Sequence, residues 1–180
     1  MLWHQSQIRF AKIGVINCIV ALSTFFLLIP ALSSDGQYKC TRVTDGDTIT
    51  VTQNGFKSTI RLVGIDAPEK SRKKHEPGQP FSQASTKYLA SLVLNKSVDI
   101  VSYGNDRYDR TLGVVYVDGK NVNIEMVKAG LAEVYRGKPA PGFDNGPYEK
   151  AENETRSAGK GMWSLGDRYI SPKEWRKSRR

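Results

Sequence analysis

A predicted β-hairpin constrains the fold of this 180-residue chain more than any other feature. Residues 48–52 alternate in the order Thr-Ile-Thr-Val-Thr, which is the pattern of a half-buried strand. The pair Asn54-Gly55 follows, and these two residues favour the positive φ angles of a tight two-residue turn. A further strand is predicted from residue 57 to about residue 65. An antiparallel pairing is therefore expected early in the chain.

The remaining elements are short strands interrupted by helices. The predicted strands cover residues 39–44, 48–52, 57–65, 97–103 and 111–117, and the predicted helices cover residues 81–95, 122–129 and 148–157. An order without βαβ repeats argues against a doubly wound parallel sheet. It favours an α+β, mainly β, fold: a five-stranded OB-fold barrel with about three helices. The open face of such barrels binds nucleic acids or sugars, and the fold alone does not choose between these ligands.

The first 34 residues differ from the rest of the chain. Residues 13–32 carry no charge, and Arg9 and Lys12 precede them. This run is just long enough to span a bilayer, and the small residues before residue 35 are typical of a signal-peptide cleavage site. We expect a cleaved signal peptide in residues 1–34, with an uncleaved membrane anchor through residues 13–32 as the alternative. Both place the following domain outside the cytoplasm, as a periplasmic, secreted or membrane-anchored protein.

The exported part is basic. The full chain has 27 basic and 18 acidic residues, and removing Arg9 and Lys12 with the leader lowers the net charge from +9 to +7. Such a domain attracts polyanions. We assign residues 35–165 to the domain and residues 166–180 to a basic C-terminal tail, for which we expect a frayed, solvated end. The alternative is a surface protein whose tail docks on anionic lipid or polysaccharide.

Four acidic residues lie at predicted strand ends. Asp45 and Asp47 flank Gly46, and residues two apart in an extended chain point to the same side. Asp66 and Glu69 follow the third predicted strand. Carboxylates brought together repel unless a cation, a proton or an arginine separates them. Oxygen ligands without a thiol or histidine cluster favour a hard ion, Ca²⁺ or Mg²⁺, over zinc.

Two arginines could complement these acids. Arg61 lies between apolar residues in a predicted strand, and Arg110 ends a polar turn before another strand. A guanidinium offers a planar fork of donors that matches two phosphate oxygens. Such fixed donors would stabilise the negative charge that grows on a phosphate during hydrolysis.

Several other reaction types lack the residues they need. His75 is the only histidine after the leader, so two-histidine acid–base chemistry is excluded, and Cys40 is the only cysteine there. The sequence contains no Gly-x-Ser-x-Gly nucleophile motif and no phosphate-binding Walker loop. Direct attack by water remains.

Three segments resemble the signature segments of the staphylococcal nuclease (thermonuclease) family. They are Thr-Asp-Gly-Asp-Thr at residues 44–48, Ile-Arg-Leu-Val-Gly-Ile-Asp-Ala-Pro-Glu at 60–69, and Asp-Arg-Tyr-Asp-Arg at 106–110. They occur in the family's order, and the similarity covers about residues 38–165. Each segment is weak alone, whereas the three together are a strong signal.

The resemblance implies an OB-fold endonuclease that uses Ca²⁺ to hydrolyse phosphodiester bonds in DNA and RNA. Asp47 and Asp66 would ligate the ion through their carboxylates. Ala67 would ligate it through its backbone carbonyl. Glu69 would orient or deprotonate the attacking water.

The resemblance also implies the substrate contacts. Arg61 and Arg110 would hold the scissile phosphate, Tyr108 matches a residue near the bound nucleotide, and Tyr135 could supply a stacking face. DNA and RNA are the expected partners, no protein partner is implied, and we expect a monomer. The alternative is a non-catalytic nucleic-acid-binding OB-fold module. The presence of Arg61, Glu69 and Arg110 argues against it.

Overall fold

The computed structural model describes residues 38–179, apart from residues 72 and 74. The predicted leader, residues 1–34, lies outside this described part of the chain. Within it, no helix combines the length and the apolar character that crossing a membrane requires.

Five strands close into a barrel, which confirms the predicted OB-type architecture. The described part of the chain contains eight strands in all: β1 (Tyr38–Val43), β2 (Thr48–Gln53), β3 (Phe56–Leu62), β4 (Ile65–Asp66), β5 (Ser97–Asn105), β6 (Thr111–Val117), β7 (Lys120–Asn121) and β8 (Glu133–Val134). The barrel strands follow the order β3-β2-β1-β5-β6, and β7 extends this sheet beyond β6. A parallel pairing of β3 with β6 joins the sheet to itself and closes the barrel around the core.

The predicted hairpin is confirmed. Gln53 pairs with Phe56, and the two residues between them have positive φ angles, 51° for Asn54 and 83° for Gly55. These angles suit a two-residue turn whose twist matches that of the flanking strands. The hairpin fixes the register in which Thr48 lies opposite Arg61.

Four α-helices pack around the barrel or follow it. They are α1 (Ser82–Val93), α2 (Val122–Lys128), α3 (Gly146–Ser157) and α4 (Pro172–Ser178), with a 3-10 helical segment at Gly161–Arg168. The first three agree with the predicted helices to within a few residues. Their apolar faces join the barrel interior in one core, which contains Ile49, Leu62, Leu89, Val115 and Met126.

One buried asparagine connects the end of β3 to β6. The side-chain oxygen of Asn123 accepts a hydrogen bond from the Val115 N–H at 3.0 Å. Its amide group donates to the carbonyls of Val63 at 2.9 Å and Gly113 at 3.0 Å. Because an unpaired buried amide would cost stability, this set of bonds fixes where the chain leaves β3. The segment carrying Arg61 and Asp66 is thereby held in place.

The predicted third strand is shorter than expected. The sequence predicts one strand from residue 57 to about residue 65, but β3 ends at Leu62. Gly64 has a φ of 80°, which turns the chain, and β4 then pairs with β8 in a separate two-stranded sheet. This turn carries Asp66 out of the barrel wall.

The prediction of a frayed C-terminal end was wrong for residues 172–178, which form α4. Ser171 and Glu174 begin this helix with a capping box, in which each side chain bonds the backbone N–H of the other residue. Pro172, at the first helical position, is buried. The helix is therefore a packed part of the domain.

Candidate active site

The predicted acids Asp47 and Asp66 lie close together. Asp47 immediately precedes β2, and Asp66 ends β4, the short strand that follows β3. The Asp47 carbonyl accepts a hydrogen bond from the Leu62 N–H at 2.8 Å, which ties the start of β2 to the end of β3. Gly46 lies against α1, and a Cβ at this position would come within 1.9 Å of the Ser85 hydroxyl oxygen. The close packing at Gly46 thus requires a residue without a side chain.

Arg61 joins the two acids. Its Nη1 forms an ion pair with Oδ1 of Asp47, and its Nη2 lies 2.9 Å from Oδ1 of Asp66. The other oxygen of Asp47 accepts a hydrogen bond from the Ala67 N–H at 3.0 Å. The hydroxyl of Thr48 donates to Asp47 Oδ1 at 3.0 Å. Both acids are almost fully buried, with 3% of Asp47 and 1% of Asp66 exposed.

Burial and charge act in opposite directions on this group. Burial raises the pKa of Asp47, and the positive charge of Arg61 partly offsets that effect. Burial alone would lower the pKa of Arg61, but the carboxylates of Asp47 and Asp66 raise it. The two carboxylates therefore share the positive charge of the Arg61 guanidinium, which lies between them.

Glu69 lies at the more open edge of the same group. Its side chain is 25% exposed, against 2% for the Asp66 side chain. Nη1 of Arg176 contacts Glu69 Oε1 at 2.6 Å and Asp66 Oδ1 at 2.9 Å. Nη2 of Arg176 contacts Asp66 Oδ2 at 2.7 Å. We call Asp47, Arg61, Asp66 and Glu69 the acid side of the site.

Arg110 belongs to a polar turn, Asp106–Arg110, which we call the arginine side. The Arg110 guanidinium donates to Asp106 Oδ2 through Nε at 2.8 Å and through Nη2 at 2.6 Å. Partial burial would raise the pKa of Asp106, but the hydrogen bonds from Arg110 lower it. Within the described part of the chain, Arg110 is thus paired inside its own turn and not with the acid side.

Arg110 nevertheless lies directly before β6, the strand that pairs with the strand of Arg61. Arg61 pairs with Leu112 across the parallel β3–β6 contact, and Arg110 precedes Leu112 by two residues. Arg110 ends the turn just before β6, so the β3–β6 pairing brings the backbones of Arg110 and Arg61 close together. Strand spacing and rise place their Cα atoms about 8 Å apart. Two long side chains at that separation can reach one phosphate group.

The two predicted substrate-binding tyrosines are accessible. Tyr108 is 65% exposed, and the guanidinium carbons of Arg107 and Arg110 lie 4.8 Å and 5.5 Å from its ring centre. Tyr135 is 41% exposed, and its N–H donates to the Gly64 carbonyl at 2.9 Å, two residues before Asp66. The Tyr108 ring therefore lies beside the arginine side, the Tyr135 backbone is bonded close to the acid side, and both exposed rings can stack on a base.

Three residues near the site were not predicted from the sequence. Glu133 lies opposite Asp66 in the β4–β8 pair, is buried, and accepts a hydrogen bond from the Tyr169 hydroxyl. Burial raises the pKa of Glu133 to about 7. Gln79 is also buried and accepts a hydrogen bond from the Glu69 N–H at 3.0 Å. The third residue is Arg176, which α4 brings to the acids.

Local sequence patterns predict only part of this arrangement. Ser171-Pro172-Lys173-Glu174 has the Ser-x-x-Glu pattern of a capping box, with proline at the first helical position. This pattern predicts the start of a helix and could have located α4. No local pattern places Glu133 opposite Asp66, because strands of two residues are too short to show an alternation.

The acid side suits a hard cation by its chemistry. Among residues 38–179, no three histidine, cysteine or acidic side chains are grouped so that they could hold a metal ion as they stand. Asp47 and Asp66 nevertheless contact the same guanidinium, so the fold already holds a cation between them. Carboxylate oxygens are the ligands that Ca²⁺ and Mg²⁺ prefer. The residues therefore fit such an ion, provided that it replaces arginine contacts.

Comparison with known proteins agrees with this geometry. The sequence profile described as "Staphylococcal nuclease homologue" matches residues 59–165. A protein of Haemophilus influenzae named "Uncharacterized endonuclease" is 38% identical over 169 residues, which cover 91% of this chain and 88% of that protein. An Escherichia coli protein of the same name is 39% identical, covering 87% and 95%. The Shigella flexneri "Micrococcal nuclease" is 33% identical, covering 93% and 95%. This chain therefore belongs to the staphylococcal nuclease family.

Proposed function

We propose that this protein is an exported, Ca²⁺-dependent endonuclease that hydrolyses phosphodiester bonds in DNA and RNA by attack of water. One observation carries the proposal: Asp47 and Asp66 converge on Arg61, with Glu69 at the open edge beside Asp66. Family membership and the names of the relatives support nuclease chemistry. The leader predicted in residues 1–34 supports export.

The acid side would hold the ion. Asp47 and Asp66 would supply carboxylate oxygens, and Ala67, whose N–H already bonds Asp47, would supply its backbone carbonyl. When bound, the ion would neutralise these acids and stabilise charge on a phosphate oxygen. We propose Ca²⁺ rather than Mg²⁺ because the family resemblance implies Ca²⁺.

Glu69 would position and deprotonate the attacking water. It is the most accessible acid of the acid side, so it can meet solvent while its neighbours stay buried. Its backbone is fixed from both directions, because Gln79 accepts a hydrogen bond from the Glu69 N–H and the Gln79 N–H donates to the Glu69 carbonyl at 2.8 Å. A carboxylate held in this way can accept a proton at a defined place.

Arg61 would bind the scissile phosphate from β3, and Arg110 from the turn before the neighbouring strand β6. Their side chains are 16% and 30% exposed, so both guanidiniums reach the surface. Each has a planar set of donors for phosphate oxygens. Donors that meet the charge developing in the transition state lower the barrier, and one of them contributes about 3–4 kcal/mol. Tyr108 and Tyr135 would stack on neighbouring bases.

Cleavage assays test this function directly. The purified protein would be incubated with plasmid DNA and with single-stranded RNA, in Ca²⁺, in Mg²⁺, or in a chelator. We expect both substrates to be cut in Ca²⁺ and neither to be cut in the chelator. Binding of either nucleic acid without cleavage in any cation would instead favour the non-catalytic binding module.

A further inference from the structure

The C-terminal helix α4 packs next to the candidate site. Trp175 is half-buried and lines a small cavity together with Gln79, Pro80 and Met162. The Gln79 amide donates to the Ile170 carbonyl at 2.7 Å, just before the helix begins. Because Gln79 also bonds the backbone of Glu69, the C-terminal segment and the Glu69 loop are connected through one side chain.

Arg176 on this helix occupies the oxygens that the proposed function requires. It contacts both carboxylate oxygens of Asp66, at 2.9 Å and 2.7 Å, and Oε1 of Glu69 at 2.6 Å. Asp66 Oδ1 also accepts from Arg61. The carboxylate of Asp66 thus has guanidinium donors on both oxygens. A cation that uses Asp66 as a ligand must displace some of these contacts.

The charges favour competition. Arg176 brings one positive charge to Asp66 and Glu69, whereas a Ca²⁺ ion would bring two. Without either, Arg61 still pairs with Asp66, but Arg176 no longer offsets the charge of Glu69 beside it. The Arg176 side chain is 33% exposed whereas that of Asp66 is 2% exposed, so solvent reaches these ion pairs only from the side of Arg176. A competing cation can therefore approach this contact from the solvent.

We propose that α4 is an intramolecular competitor of the divalent ion, in which Arg176 covers the metal-binding and water-activating carboxylates until the ion displaces it. The inference rests on the proposed function, since it assigns those two roles to Asp66 and Glu69. The protein is then least active when the ion is scarce. Charge-assisted hydrogen bonds of this strength predict that Arg176 weakens apparent Ca²⁺ binding about 10- to 100-fold.

Calorimetric titration of the full chain with Ca²⁺, without nucleic acid, tests the competition. Arg176→Gln should bind Ca²⁺ about 10- to 100-fold more tightly than the unaltered protein. Lys177→Gln is the matched control, since it removes the same charge from an exposed position on the same helix. It should bind Ca²⁺ as the unaltered protein does. Equal or weaker binding by Arg176→Gln would overturn the proposal and make Arg176 a helper of the ion or of the substrate.

A second measurement uses the unaltered protein, so it does not depend on how a variant folds. Amide hydrogen exchange of residues 172–178, followed by mass spectrometry, should become faster on addition of Ca²⁺ if the ion releases α4. Exchange that stays unchanged at saturating Ca²⁺ would contradict displacement. If the unaltered protein cleaves DNA in Ca²⁺ while both tests fail, only the competitor role is lost. If neither Ca²⁺ binding nor cleavage occurs in any form, the proposed function fails with it.

Discussion

The acid side and the arginine side of the site are built differently. Asp47 and Asp66 are buried and are positioned by strand pairing and backbone hydrogen bonds. Tyr108 and Arg110 belong to an exposed turn, which is held mainly by the Asp106 carboxylate. A preformed, buried group suits a small ion that needs fixed ligands. An exposed turn suits a long polymeric substrate that must be bound whatever its sequence.

The acid side should dominate turnover if this division is right. Glu69→Gln removes a negative charge and a proton acceptor but keeps the side-chain shape, so we expect turnover to fall about 10⁴-fold while nucleic-acid binding persists. Steady-state cleavage and equilibrium binding would be measured together. Glu76→Gln is the control, since Glu76 is an exposed acid of the neighbouring loop that pairs with Lys73 and Arg179. An active Glu69→Gln variant would remove its role as water activator.

The two sides should also differ in their contribution to stability. Asp47→Asn breaks a buried ion pair and leaves Arg61 short of a partner, so we expect the free energy of unfolding to fall by about 3–5 kcal/mol. Asp106→Asn breaks a more exposed pair and should cost about 1 kcal/mol or less. Urea unfolding in a chelator measures both.

The same two variants separate metal binding from folding. Asp47→Asn should raise the Ca²⁺ concentration needed for activity, because it removes a charged ligand. Asp106→Asn should leave this concentration unchanged. If both variants and the unaltered protein need the same Ca²⁺ concentration for activity, Asp47 is not a ligand of the ion.

The contribution of the arginine side to turnover should depend on the planar donors of its guanidinium and not on positive charge alone. Arg110→Lys keeps the positive charge but loses the planar donors, so we expect turnover to fall about 10²–10³-fold. Arg107→Lys is the matched control in the same turn, where the guanidinium lies 4.8 Å from the Tyr108 ring centre. Cleavage kinetics should show little change for this control. An Arg110→Lys variant as active as the unaltered protein would mean that Arg110 contributes only positive charge, and equal losses in the two variants would mean that the turn does not depend on Arg110 in particular.

The sequence predicts the parts of this molecule that have a local pattern. The Asn54-Gly55 turn and the alternation before it predicted the hairpin, and apolar residues at helical spacing predicted α1. Convergence of Asp47 and Asp66 could be anticipated because both lie at strand ends near the same hairpin. The roles of the individual site residues remain predictions.

The rest depends on contacts between distant parts of the chain. Arg176 and Lys177 looked like a solvated tail, since seven helical residues are too few for a clear hydrophobic period. Their position follows from Trp175 packing near Gln79 and from the acids that attract Arg176. The pairing of Arg110 with Asp106 was likewise not predicted from the sequence. A carboxylate four residues away competes with any ligand for the donors of Arg110.

The smallest effect that we expect beside the acid side is on how stability depends on pH. Burial raises the pKa of Glu133 to about 7 from its usual value of 4.5, so the folded protein binds more protons than the unfolded chain between these two values. Glu133 therefore contributes most to stability below pH 4.5, and this contribution is lost as pH rises through 7. Relative to Glu133→Gln, the free energy of unfolding should fall by about 2 kcal/mol from pH 5 to pH 8. Chemical unfolding across this range measures it, with the exposed Glu149→Gln as control. A constant difference between the Glu133→Gln variant and the unaltered protein would show that Glu133 stays charged beside Asp66, and the acid side would then hold one more negative charge for a cation to offset.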